Sequence, residues 1–201
     1  MKFYFAKPDR AAIDRFLAAK REAGFTYGEV GASRFGPEEN LASHVAGQYR
    51  ILHHRHCLGH GEETFARVRA AFGRWSMYQL SWLDICWPET PLAEGAVVAT
   101  LGQVMGTWWV NVNRVIYTME EDGPVARFGF AYGTLDGSVL SGEERVLVEW
   151  NRLDDTVYYD LFSFSRANRW IARAMTFYLW FLQERFARES ARAMERIALG
   201  H

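Results

Sequence analysis

Cysteine is scarce in this chain: Cys57 and Cys86 are the only two among 201 residues. A disulfide framework is therefore excluded, and without a CxxC pair so is a cysteine zinc site. Net charge is lacking as well, with 23 Lys and Arg against 24 Asp and Glu. That balance argues against a general phosphate-binding face, and the many aromatics are not interleaved with a basic excess, so nucleic acid is not an expected partner. Long hydrophobic runs are missing. The longest, Ala174 to Leu182, is broken by Thr176 and is half the length of a membrane span. The opening MKFYFAKPDR does not place an apolar run after a basic start, as a signal peptide would. Nor is there a P-loop, a nucleophile elbow, a GxGxxG after a strand or a serine, histidine and acid set suggesting a triad. The expectation is a soluble cytoplasmic protein with no cofactor and no membrane span.

What is present is apolar and aromatic. Nearly half the residues are hydrophobic and 15% are aromatic, enough for a thick core or an aromatic-lined pocket in one domain. After a strand-like opening from Lys2 to Ala6, Ile13, Phe16, Leu17 and Lys20 recur at helical spacing between Pro8 and Gly24. FTYGEVGAS, Phe25 to Ser33, has too much glycine to be helical throughout, and residues 36 to 48 are polar and turn-prone.

From Tyr49 the pattern becomes strand, short helix (Glu62 to Trp75), then six strands: Met77 to Trp87, Ala96 to Val104, Thr107 to Glu120, Val125 to Leu135, Glu143 to Trp150 and Thr156 to Phe164. Short turns such as Asp136-Gly137 separate them, so neighbours pair antiparallel. The chain ends in one amphipathic helix spanning about Ser165 to Gly200, about 45 Å long at 1.5 Å per residue. The sequence predicts an α+β fold: a curved seven-stranded antiparallel sheet wrapped around a long C-terminal helix over residues 49–201, with residues 1–48 an N-terminal extension packed on the main body.

This element order resembles the helix-grip fold of the pollen allergen Bet v 1, the START lipid-transfer domains and polyketide cyclases. FTYGEVGAS, LGHGEETFARVRAAFGRW (Leu58 to Trp75), RFGFAYGTLDGSVLSGEER (Arg127 to Arg145) and DLFSFSR (Asp160 to Arg166) are similar, in order and spacing, to an uncharacterised family, domain of unknown function nineteen-ninety. Where that pattern has a proline after Ser-Arg, this chain has Ala167. The resemblance implies no activity; it implies a fold whose members commonly hold an apolar ligand between sheet and helix.

Candidate site residues follow from the strand pattern. Phe128, Phe130, Tyr132 and Thr134 share one face, and Gly129, Ala131 and Gly133 the other, where either a ligand or the gripped helix can approach closely. Glu143 and Glu144 lie on opposite faces, so one points inward and needs a partner: Arg166, Arg127 or a tyrosine hydroxyl. It is either a structural ion pair or a general acid or base at the end of a cavity. Trp108, with Val110 and Val112, is placed on the cavity face, and Asn111 and Asn113 on the other. Tyr158 is a further inward polar candidate. Glu29, flanked by Gly28 and Gly31, reaches a cavity mouth or accepts turn hydrogen bonds. Phe177 and Phe181 either line a pocket or fill it. His53, His54, His56 and His60 do not have zinc-ligand spacing, so no metal is expected.

Three functions are compatible with this reading. The first is binding of a hydrophobic small molecule or lipid between sheet and helix by Tyr132, Glu144, Trp108, Tyr158, Phe177, Phe181, Glu29 and Arg166. The second is a cyclase- or hydrolase-type enzyme using Glu144 or Glu29 as its buried carboxylate. The third is an interaction protein whose core is filled by Phe177, Tyr178, Trp180 and Phe181.

Overall fold

A computed structural model describes residues 1–35, 45, 49–104, 106–168 and 176–200. Strand β1, Lys2–Tyr4, precedes helix α1, Arg10–Lys20, which Asp9 caps by accepting a hydrogen bond from the Ala12 amide at 2.7 Å. Strand β2, Arg50–His60, leads into α2, Glu62–Phe72. Six strands follow: β3, Leu83–Cys86; β4, Val97–Val104; β5, Thr107–Glu121; β6, Val125–Thr134; β7, Leu140–Asn151; and β8, Thr156–Ala167. Helix α3, Thr176–Ala198, closes the described chain.

The sheet runs β2-β8-β7-β6-β5-β4-β3 with every pair antiparallel, and β2 and β3 are left as edges of an unclosed sheet. This is the helix-grip arrangement the element order predicts. An eighth strand adds to it: β1 pairs with β5 from Trp108 to Val110, on the side where β6 pairs further along. Long β5 thus has two successive neighbours on one edge.

Two boundaries differ from the sequence reading. Ser165 to Ala167 belong to β8 and not to the last helix, because they continue the ladder to Leu140, Ser141 and Gly142. Residues 169 to 175 of the predicted helix, Trp170 and Ala174 among them, lie outside the described residues, as do most of 36 to 48. The predicted strand from Met77 shrinks to Leu83–Cys86, since Ser76–Tyr78 form a 3-10 turn after Trp75, whose φ is 55°.

Both faces of the sheet are covered. On the inner face, α2 and the C-terminal half of α3 pack against the sheet through Val68, Phe72, Phe130, Val146, Tyr159, Ala187, Ala191 and Met194. On the outer face, α1 sets Ile13, Phe16 and Leu17 against Leu101, Trp108, Val110 and Val112. The loop of Tyr27 and Ala32 covers Phe162 and Phe164. The row of small residues on β6 therefore faces neither ligand nor gripped helix. A Cβ on Gly133 would meet the Tyr27 hydroxyl, and the Phe25 ring at 3.0 Å. Gly133→Ala is expected to lower stability by about 1–2 kcal/mol by lifting this loop, as overpacking does. Thermal denaturation checks it, and an unchanged midpoint would contradict the fit.

Candidate functional site

The N-terminal half of α3 meets the sheet through polar contacts, Gln183 to Ser165 of β8 at 2.9 Å and Glu184 to Arg50 of β2, where its C-terminal half packs with apolar side chains. Between the N-terminal half and the sheet lies a cavity of about 490 Å³. Leu179, Leu182, Gln183 and Phe186, at helical spacing, form its roof; Trp109, Asn111 and Asn113 of β5, Tyr132 of β6, Glu144 of β7, and Ser163 and Ser165 of β8 form its floor. Trp82, Thr100, Val104 and Thr107 make one wall, and Met1 and Phe3 stand with them because Phe3 is the ladder partner of Trp109. The space is in the size range of small-molecule sites, so the described residues do not fill the grip with their own aromatics.

Glu144 is the inward carboxylate of the pair. The Tyr132 hydroxyl donates to its Oε1 at 2.5 Å and the Tyr78 hydroxyl reaches the same oxygen at 3.5 Å. The partner is thus a tyrosine hydroxyl, not Arg166 or Arg127. Burial pushes the Glu144 carboxyl up to about 7, with the two phenols pulling the other way. Burial and the neighbouring acid hold both tyrosines well above their ordinary range, so they stay protonated donors. Across the strand from Glu144, Ser163 is 2% exposed and its hydroxyl has no hydrogen-bond partner among the described residues.

Glu143, on the outer face, does different work. Its Oε2 accepts from the Tyr27 hydroxyl at 2.9 Å and the Gly31 amide at 2.8 Å; its Oε1 accepts from the Ser33 amide at 3.0 Å and the Ser33 hydroxyl. Arg145 completes the clasp, donating to the Ser33 carbonyl at 3.1 Å and to Asp160 at 3.0 Å. Burial would raise Asp160, but His53 and Arg145 bring it below the usual carboxylate range.

Of the predicted site residues, Tyr132 and Glu144 reach the cavity and the others do not. Trp108 packs on the outer face against α1 and under Lys7. Trp109, Asn111 and Asn113 occupy the face predicted for Trp108, because α1 makes the outer side of β5 apolar too. Tyr158 faces outward beneath Arg55, whose guanidinium lies 4.2 Å from its ring. Phe177 and Phe181 are 84% and 53% exposed, one helical face away from the roof. Glu29 accepts from the Tyr49 hydroxyl at 2.6 Å, and Arg166 lies over the Tyr49 ring at 4.8 Å, both on the outer face. The histidines divide similarly: His53 bonds Asp160 at 2.7 Å, and His56 is 3.2 Å from Glu195.

Comparison with known proteins places these features in a family. Residues 26–193 match the Domain of unknown function (DUF1990) family. The chain belongs to this family. A UPF0548 protein of Deinococcus radiodurans is 34% identical over 207 residues, covering 98% of each chain. Another of Dictyostelium discoideum is 30% identical, over 96% of this chain and 94% of that one. Among solved structures, a hypothetical protein of Helicobacter pylori superposes with a TM-score of 0.52 at 11% identity, over 87% of this chain and 96% of that one. That last likeness shows the fold alone. No helix among the described residues is long and apolar enough to cross a membrane.

The sequence segments shared with the DUF1990 pattern acquire a physical reading. FTYGEVGAS and the GEER of β7 are two halves of one clasp, joined at Glu143. DLFSFSR supplies Asp160 to the outer network and Ser163 and Ser165 to the cavity.

Proposed function

We propose that the protein binds an apolar or amphipathic small molecule in the cavity between the sheet and α3. The observation that carries this reading is the cavity itself: about 490 Å³, roofed by Leu179, Leu182 and Phe186, with a buried acid–phenol cluster, Glu144, Tyr132 and Tyr78, at its floor beside the amides of Asn111 and Asn113. Apolar enclosure supplies affinity and the cluster orients the ligand. At about 0.8 kcal/mol per buried methylene, an octyl chain contributes up to about 6 kcal/mol before the costs of association. Of the extension proposed over residues 1–48, the described residues 1–35 back the sheet and, through Met1 and Phe3, contribute to the cavity wall.

Calorimetric titration with 1-octanol tests this. One saturable site per chain is expected, weakened at least tenfold by Leu182→Trp, which fills the roof. Absence of saturable binding, or unchanged affinity in L182W, would sink the proposal.

A second reading, an enzyme of the cyclase or hydrolase type, is supported by one observation: the carboxyl of Glu144 is poised at about 7, suited to proton transfer near neutral pH. On that reading a compound recovered after incubation has changed structure, with water gained on hydrolysis or ring closure seen by NMR, and Glu144→Gln returns it unaltered.

A further inference from the structure

We propose that the cavity selects a ligand whose polar end is an organic cation, an ammonium group on an apolar body, which pairs with Glu144. This rests on the cavity being a binding site, and deepens that reading by naming the ligand's charge.

Three features of the floor point the same way. First, Glu144 is buried at 9% exposure and meets only hydrogen bonds from tyrosines; no Lys, Arg or His side chain stands among the described lining residues. The ammonium of Met1, which also borders the cavity, donates to the Gly137 carbonyl at 2.5 Å. A buried carboxylate without a countercharge is costly, and a cationic guest supplies that countercharge. Second, both phenols address Oε1, and no described residue donates to Oε2 of this cavity-lining side chain. Ser163, the cross-strand partner of Glu144, adds a buried hydroxyl with no hydrogen-bond partner among the described residues. Third, the surrounding walls are aromatic: Tyr78, Tyr132, Trp82, Trp109, Tyr178 and Phe186. Ring faces attract ammonium groups and offer nothing comparable to an anion. A fatty carboxylate would meet Glu144 charge to like charge, so the same floor rejects it.

The test compares octylammonium, 1-octanol and octanoate as ligands of the full chain at pH 8. Octylammonium is expected to bind at least tenfold more tightly than 1-octanol, and octanoate more weakly than either. In Glu144→Gln, octylammonium should lose its tenfold advantage over 1-octanol, and a cooperative urea unfolding transition shows that the variant is folded. Binding of 1-octanol with no preference for the amine, or an amine preference that survives in E144Q, overturns this inference and leaves the cavity reading standing. Failure of all three ligands to bind overturns both. The comparison among ligands on the unsubstituted protein decides the matter without any variant.

Discussion

Replacing Glu143 by alanine is expected to cost about 3–5 kcal/mol of stability, the largest effect of any single substitution considered for this protein. The carboxylate collects four hydrogen bonds from three residues of the N-terminal loop, Tyr27, Gly31 and Ser33, at a site only 3% exposed. Alanine leaves those donors buried without an acceptor, and each stranded group carries its own desolvation penalty. The consequence is local before it is global. The loop from Thr26 to Ser33 loses its anchor on β7, and the Gly31 and Ser33 amides should exchange with solvent faster than those of α2. Tyr27→Phe removes one of the four bonds and should cost about 1 kcal/mol, which scales the larger loss. Urea denaturation measures both. A loss below about 1 kcal/mol for Glu143→Ala would mean that the loop is held by something other than this clasp.

The adjacent acid should behave in the opposite way. Glu144 is raised from 4.5 to about 7, so the folded chain holds this proton more tightly than the unfolded chain does. Its contribution is therefore fully present below the unfolded value of 4.5 and is lost as pH rises through about 7. The difference corresponds to about 3 kcal/mol, at 1.36 kcal/mol per unit of pKa. Glu143, also raised by burial, contributes in the same direction, whereas Asp160, which is lowered, loses its contribution only as pH falls. Glu144→Gln isolates the one group. The variant should match the unsubstituted protein near pH 4 and exceed it by about 2–3 kcal/mol at pH 8. Denaturant unfolding at the two pH values checks this, and a difference that does not change with pH would show that Glu144 holds its proton no more tightly in the folded chain than in the unfolded one. Neighbouring carboxylates on one strand thus differ in kind. Glu143 is satisfied by protein donors, while Glu144 has an oxygen left over.

Much of this was legible in the sequence, and the part that was not has identifiable causes. Strand and helix order follows from period: the run from Thr107 to Glu120 alternates, and the α3 segment does not. Alternation on β6 and β7 shows that one of Glu143 and Glu144 points inward and needs a partner, but it leaves Arg166, Arg127 and a tyrosine hydroxyl equally open. Alternation does not reveal which face is inner when both are covered. Trp108 and Trp109 are equally apolar, and only the packing of α1 decides that Trp108 is outer. The bulge between Val115 and Tyr117 turns Tyr117 to the outer face, where its hydroxyl meets Ser33 at 2.7 Å. No residue in that stretch marks it. On α3 a signal existed. Leu179, Leu182 and Phe186 lie at spacings of three and four and continue into the buried Ser190 and Met194, whereas Phe177 and Phe181 fall off that stripe. Counting aromatics alone favours the wrong face. The clasp could not be seen because its halves, Tyr27 and Glu143, are 116 positions apart.

Heteronuclear NMR of the tryptophan indoles during titration with 1-octanol tests the central claim most directly, because described tryptophans lie on both faces of the sheet. Trp82 and Trp109 line the cavity; Trp108 packs against α1, and Trp87 donates to Asp14 on that helix at 2.8 Å. The indole signals of Trp82 and Trp109 should shift and saturate together while those of Trp87 and Trp108 stay in place. Shifts confined to Trp87 and Trp108, or no shift at saturating ligand, would contradict a binding site between the sheet and the last helix.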